Sequence, residues 1–221
     1  MSYLDSMVGS TIQLEVSGKI ERVGVMVDCG ADIIVIYDGF DYVYFPTSHI
    51  QHIRLITNVS QISEPGYDRT ELKNNLTYKG ILNESKGMFL KIFVTGNQAL
   101  HGYITSIQND YFVFYSPVHK TLLIPLFHLK WLIPYPENQT PYTLSEETFP
   151  LTLSTQKMAK TLDEQLKKME DKLVVFDLGS NPDKIGLLKH VQNNMAKLVN
   201  ADQKTIYWNI HHIKIVSFPE L

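Results

Sequence analysis

The sequence predicts a mainly β protein: three tandem small five-stranded barrels, SH3-like or Sm-like, with short helical connectors. Three observations carry that expectation. First, the chain repeats itself, because Gly9, Gly87 and Asp171 align and Gly24, Gly102 and Gly186 each follow fifteen residues later. Second, apolar and polar residues alternate within each copy, the period-two signature of a strand with one buried face. Third, each copy closes on a similar phrase: Tyr44-Phe45-Pro46-Thr47-Ser48-His49-Ile50, then Leu123-Ile124-Pro125-Leu126-Phe127-His128-Leu129, then Tyr207-Trp208-Asn209-Ile210-His211-His212-Ile213. The interval from the second glycine to the histidine is 25, 26 and 26 residues. A repeat of this length constrains the architecture before any local element is assigned.

The elements follow in order. The first strand carries Ile12, Leu14 and Val16 in copy one, Leu90, Ile92 and Val94 in copy two, and Val174, Phe176 and Leu178 in copy three. Turns containing Gly18, Gly96 and Gly179 come next. The second strand is expected to begin at Gly24, Gly102 or Gly186, since glycine is placed where a strand bends or another backbone comes close. Asp32, Asp110 and Asn194 precede a β-branched and aromatic central strand. A polar hairpin leads to a fourth strand ending at Pro46, Pro125 or Asn209, and the histidine opens a short fifth strand over residues 50–53, 129–132 and 213–216. Bent strands closing into a barrel lose most of their exposed edge. A unit this small buries a modest core, so packing between copies is expected to matter.

The resulting division is residues 1–57 for the first barrel, 58–86 for a connector with short helices over 70–76 and 78–85, and 87–135 for the second barrel. Residues 136–170 then form a Pro-rich linker and a helix, and 171–221 the third barrel. Pro134, Pro136, Pro141 and Pro150 should keep the linker extended. Residues 154–171 read as a helix whose stripe Met158, Leu162, Leu166 and Met169 packs against the third barrel.

Of 221 residues, 44% are hydrophobic and 19% charged, which describes a folded globular chain. The net charge of −3 is spread as −4 over residues 1–60, −1 over 61–150 and +2 over 151–221. A protein built to neutralise phosphates would be basic, so charge gives nucleic-acid binding no support. The single Cys29 cannot form an intrachain disulfide, and no Cys/His spacing resembles a zinc site. No basic segment followed by an apolar stretch marks a signal peptide. No apolar run is long enough for a membrane helix. Synthesis in a reducing cytoplasm and no membrane insertion are the expectations.

His49, His128 and His212 are the sharpest candidates for chemistry, because three of the eight histidines share one repeat position. Imidazole serves as ligand or base, yet catalysis rarely needs one residue in three copies, whereas a fold does. The histidines are therefore read, with Gly24, Gly102 and Gly186, as structural signatures of the repeat. His211 and His212, adjacent on a strand, would point to opposite faces and make a poor bidentate site. The aromatic set Tyr37, Tyr42, Tyr44, Phe45, Phe112, Phe114, Tyr115, Tyr207 and Trp208 could stack on single-stranded nucleic acid. With only Arg22, Arg54 and Arg69 in the chain, core packing is the favoured reading. Cys29 lies five residues after its glycine, where the other copies have Ile107 and Val191, and reads as a small core residue. No nucleophile elbow, phosphate loop, dinucleotide fingerprint or metalloprotease motif occurs. No catalytic residue, metal ligand or cofactor is assigned, and the chain is not read as an enzyme.

Copy three, in Met169-Glu170-Asp171-Lys172-Leu173-Val174-Val175, Gly179-Ser180-Asn181-Pro182-Asp183-Lys184-Ile185-Gly186 and Ile206-Tyr207-Trp208-Asn209-Ile210-His211-His212-Ile213-Lys214, resembles the repeated unit of bacillar spore coat protein B. Copies one and two resemble a sister group of uncharacterised small domains from spore-forming Firmicutes with an Ile-Pro-Leu-x-His-Ile ending. The Gly-Gly-Pro turn of the coat family is reduced here to Gly179-Ser180-Asn181-Pro182, and its Ser/Lys-rich tail is not among these 221 residues. The resemblance implies a structural or interaction protein made in the mother-cell cytoplasm and placed in the spore coat. Its partners would be other coat or sporulation proteins held by multivalent contacts, with a homo-oligomer allowed through paired strand edges. The alternative expectation is an Sm-like RNA-binding protein.

Overall fold

A computed structural model describes residues 3–57, 76–96, 98–136, 139–145 and 158–219. The described elements are overwhelmingly antiparallel strands: β1 (Thr11–Val16), β2 (Ile20–Cys29), β3 (Ile33–Tyr37), β4 (Tyr42–Pro46) and β5 (Ile50–Leu55) belong to copy one. Copy two supplies β6 (Phe89–Phe93), β7 (Ala99–Ile107), β8 (Tyr111–Ser116), β9 (Lys120–Pro125) and β10 (Trp131–Pro134). Copy three supplies β11 (Leu173–Phe176), β12 (Ile185–Gln192), β13 (Met195–Val199), β14 (Thr205–Asn209) and β15 (Val216–Ser217). The helices are α1 (Tyr78–Glu84) and α2 (Leu162–Lys167).

The chain forms two compact units, Met1–Leu100 with Leu129–Gln139, and His101–His128 with Thr140–Leu221. Strand order in the first unit is β6-β10-β4-β3-β2-β1-β5. In the second it is β14-β13-β12-β11-β15-β9-β8-β7. The strands of copy two are thus divided between the units, with β6 and β10 in the first and β8 and β9 in the second.

Alternation produces the first core. Ile12, Leu14 and Val16 on β1 are fully buried while the residues between them are half-exposed. They meet Met26, Ile34, Ile36, Val43, Phe45, Phe93, Trp131 and Ile133 in one cluster. The second unit's core gathers Tyr111, Val113 and Leu123 of copy two with Val174, Phe176, Leu188, Leu198, Ile213 and Val216 of copy three. Burying such side chains contributes roughly 1.5–3 kcal/mol each.

One irregularity recurs. The pairing of each second strand with its third shifts by one residue at Val27, Thr105 and Lys189, each three positions after the shared glycine. An extra residue on one strand bends it and increases its twist. The bend is therefore encoded three times at one repeat position.

Several elements differ from the expectations. Gly24 and Gly102 lie inside β2 and β7 rather than opening them, and Gly186 is the second residue of β12. Leu178 falls outside β11, in a 3-10 turn with φ of 57°. The fifth strands of copies two and three start at Trp131 and Val216, because Leu129 and Ile213 are buried from the preceding turn and only resemble strand residues. His211 and His212 lie in a 3-10 turn, not on a strand. The helix expected over 154–171 is α2 alone within the described residues. A reciprocal cap between Thr161 and Glu164 starts it, and a positive φ at Asp171 follows its end. Its expected stripe does reach the core, with Leu162, Leu166 and Met169 buried and Met158 packed beside them. The linker contains a 3-10 turn at Pro141–Thr143. Of the two connector helices, α1 matches 78–85, while the one expected over 70–76 lies outside the described residues but for Leu76.

Candidate functional site

The three signature histidines occupy one place in each copy, the last residue of a 3-10 turn between the fourth and fifth strands: Thr47–His49, Leu126–His128 and Ile210–His212. The turns are tied down alike. The amides of Thr47, Leu126 and Ile210 donate to the backbone carbonyls of Asp32, Asp110 and Asn194, which precede the central strands. The imidazoles do not share a partner. His49 is buried, its Nδ1 2.9 Å from Ser17 Oγ. His128 Nε2 lies 2.9 Å from the His211 carbonyl oxygen and donates to it. His212 is exposed. Among the described residues no three His, Cys, Asp or Glu side chains cluster to hold a metal ion.

The glycine signature has a steric cause. A Cβ at Gly24 would meet the Tyr37 carbonyl oxygen at 2.5 Å, one at Gly102 the Tyr115 oxygen at 1.8 Å, and one at Gly186 the Val199 oxygen at 2.6 Å. In every copy the second strand passes so close to the end of the third that only hydrogen fits. The first anchor has a conformational cause instead: Gly9, Gly87 and Asp171 all take positive φ, at 86°, 77° and 60°. Asp is among the few non-glycine residues that enter this region readily.

A pair of carboxylates that the repeat had aligned without giving them a role turns out to link copy to connector. Asp32 Oδ1 accepts from the amide of Tyr78, the first residue of α1, at 2.7 Å. Asp110 Oδ1 accepts from the amide of Leu162, the first residue of α2, at 2.9 Å. Each caps the helix that follows its copy, satisfying an otherwise orphaned donor. Tyr111 beside Asp110 is buried and donates its hydroxyl to the Ala159 carbonyl oxygen at 2.8 Å. Burial first, then the Asp110 and Glu164 charges, pushes its phenol from 10.0 up to about 12.

The aromatic set is not gathered on one surface. Phe45, Phe112 and Phe114 are fully buried, and Trp208 donates its Nε1 to the Asp183 carbonyl oxygen at 3.0 Å with Lys184 Nζ 5.3 Å over its ring. Tyr207 remains 60% exposed. The half-buried Arg22 places its guanidinium 5.1 Å from the centre of the buried Trp131 ring, a cation on an aromatic face. Cys29 is half-buried, with Sγ 3.3 Å from an Asp5 carboxylate oxygen, so it is not the fully enclosed core residue expected.

Where one copy meets the next within a unit, their strands pair. In the first unit β10 pairs antiparallel with β4, Leu132 opposite Tyr44. In the second, β15 pairs antiparallel with β9, Val216 opposite Leu123 and Ser217 opposite Leu122. Both joints put the fifth strand of a later copy on the fourth strand of the copy before it. Trp131 packs there between Phe93, stacked at 4.5 Å, and Phe45, tilted at 5.9 Å.

Residues 161–216 match the family described as the YwrJ third domain. The chain is 38% identical over 225 residues to the uncharacterized protein YwrJ of Bacillus subtilis (strain 168), covering 99% of this chain and all of that protein. Spore coat protein B of the same organism is 24% identical over 146 residues, 65% of this chain and 36% of the coat protein. A likeness of that extent, running the whole length of both chains, places this protein in the YwrJ family.

Proposed function

We propose that the chain is a non-enzymatic structural and interaction protein of the spore coat, or of an assembly formed during sporulation. Its copies act as small SH3-like or Sm-like barrels that offer several similar surfaces on one chain. The observation that carries the reading is the similarity to spore coat protein B across 65% of this chain. Geometry supports it. Asp32 and Asp110 are engaged in turn-fixing and helix-capping bonds, and the order β4-β3-β2-β1-β5 with a 3-10 turn before the last strand recurs as β14-β13-β12-β11-β15. Bulged second strands supply the curvature a small barrel needs. Several similar surfaces on one chain raise avidity through effective concentration without strong individual contacts.

The deciding experiment follows a fluorescent fusion in the native host through growth and sporulation. A shell of signal around the developing spore is the expected result. Signal confined to growing cells, with none on spores, overturns the proposal.

A further inference from the structure

The two joints inside the chain obey one rule. Leu132 and Val216 stand four residues after His128 and His212, and their partners Tyr44 and Leu123 stand five residues before His49 and His128. Fifth strand and fourth strand therefore meet in the same register both times. Two halves of this joint are left over. Among the described residues, copy one has the fifth strand β5 with β1 as its single strand neighbour, and copy three has the fourth strand β14 with β13 as its single strand neighbour.

Burial marks these two strands as unfinished. Trp131, Leu132 and Ile133 of β10 are all buried, as is Val216 of β15, whereas no residue of β5 is. Three residues of β4 and three of β9 are buried, but none of β14. Ile50, Ile53 and Leu55 on β5 and Ile206, Tyr207 and Trp208 on β14 are the apolar side chains so left half-buried or exposed. Asn209 stands where Pro46 and Pro125 end the other fourth strands, so no proline within β14 blocks pairing. Each strand offers an outward row of amides and carbonyls, the usual template for adding a strand.

We infer that β5 of one copy of the chain docks on β14 of a second copy, antiparallel, with Ile53 opposite Tyr207. The partner is the protein itself. The contact is heterologous, so successive chains run head to tail and end in a closed ring or an open filament. The joints inside the chain are short and are helped by the covalent tether, which supplies a high effective concentration. The joint between chains lacks that help and assembles only as concentration rises. This inference rests on strand register and not on where the protein resides, so it stands or falls separately from the coat proposal.

Disulfide trapping tests the register. Residues directly opposite in an antiparallel pair lie about 4.5–5.5 Å apart at Cα, within disulfide reach. In a Cys29→Ser background, Ile53→Cys and Tyr207→Cys proteins are oxidised singly and mixed. Covalent dimer from the mixture and not from either protein alone is the expected result. A mixture that gives no more dimer than the separate proteins overturns the inference. Tyr207→Glu, at an exposed position that tolerates a charge, provides the second arm. Sedimentation of the wild-type chain should grow with concentration, and the variant should remain a single chain. Monomeric wild-type chain throughout, or self-association unchanged by Tyr207→Glu, overturns the inference equally.

Discussion

At the scale of single residues, sterics rather than polar chemistry explain most of what repeats. Gly102 is the sharpest case, because its hydrogen points at the Tyr115 carbonyl oxygen and a methyl there would overlap it at 1.8 Å. Backbone cannot yield as a flexible side-chain tip would, so Gly102→Ala should cost about 3 kcal/mol. Gly24→Ala and Gly186→Ala, at 2.5 and 2.6 Å, should cost less. Chemical denaturation of the three variants measures the order; equal losses would show that the approach distance is not the cause. The need for glycine was legible from the alignment of the copies, as was a close backbone. The position inside the strand was not, since a period-two pattern does not show where a strand starts. The histidines teach the opposite lesson. Sequence found them by position, but it could not show that His49 is enclosed against Ser17, His128 reaches a carbonyl 83 residues away, and His212 faces solvent.

Among elements, the strands are robust and the helices depend on borrowed caps. Six or seven residues are too few for a stable isolated helix. Each described helix instead receives a carboxylate from the preceding copy at its first amide, in addition to its own threonine cap. Asp110→Ala should therefore cost about 1 kcal/mol and loosen α2, with Asp32→Ala doing the same to α1. Amide hydrogen exchange at the first turn of the corresponding helix is the measurement. Faster exchange in α2 on changing Asp110, and no change in α1, is the expected result. The helix stripe Leu162, Leu166, Met169 was readable because apolar spacing is local. The caps were not, since each joins residues 46 or 52 apart.

At the level of the whole molecule, copies and compact units do not coincide. Repetition in sequence suggests that each copy closes on itself, whereas the second unit's core mixes Tyr111, Val113 and Leu123 of copy two with Val174, Phe176 and Val216 of copy three. Sequence reveals which residues prefer a buried face and says nothing of which copy will cover it. A chain ended after residue 139 should consequently lose more than its third copy. With β15 gone, β9 becomes an open edge beside newly exposed apolar side chains. That truncation is expected to bind a hydrophobic dye and precipitate, measured against the full chain by fluorescence and soluble yield. A clear, dye-silent protein would mean that copy two closes without its neighbour.

The division of copy two has a consequence in time. A ribosome releases β4 long before β10, and β9 long before β15; 88 residues separate Tyr44 from Leu132 and 93 separate Leu123 from Val216. Synthesis at roughly 5–20 residues per second leaves each fourth strand waiting on the order of 4 to 20 seconds for its partner. During that interval both strands are sticky edges on a growing chain. Neighbouring ribosomes on one message then carry matching half-joints at the same moment, and a nascent β4 that captures another chain's β10 starts an exchange between siblings. Slower translation between the copies should therefore raise the yield of interlinked molecules relative to separate ones, measured by sizing the protein from fast- and slow-codon messages.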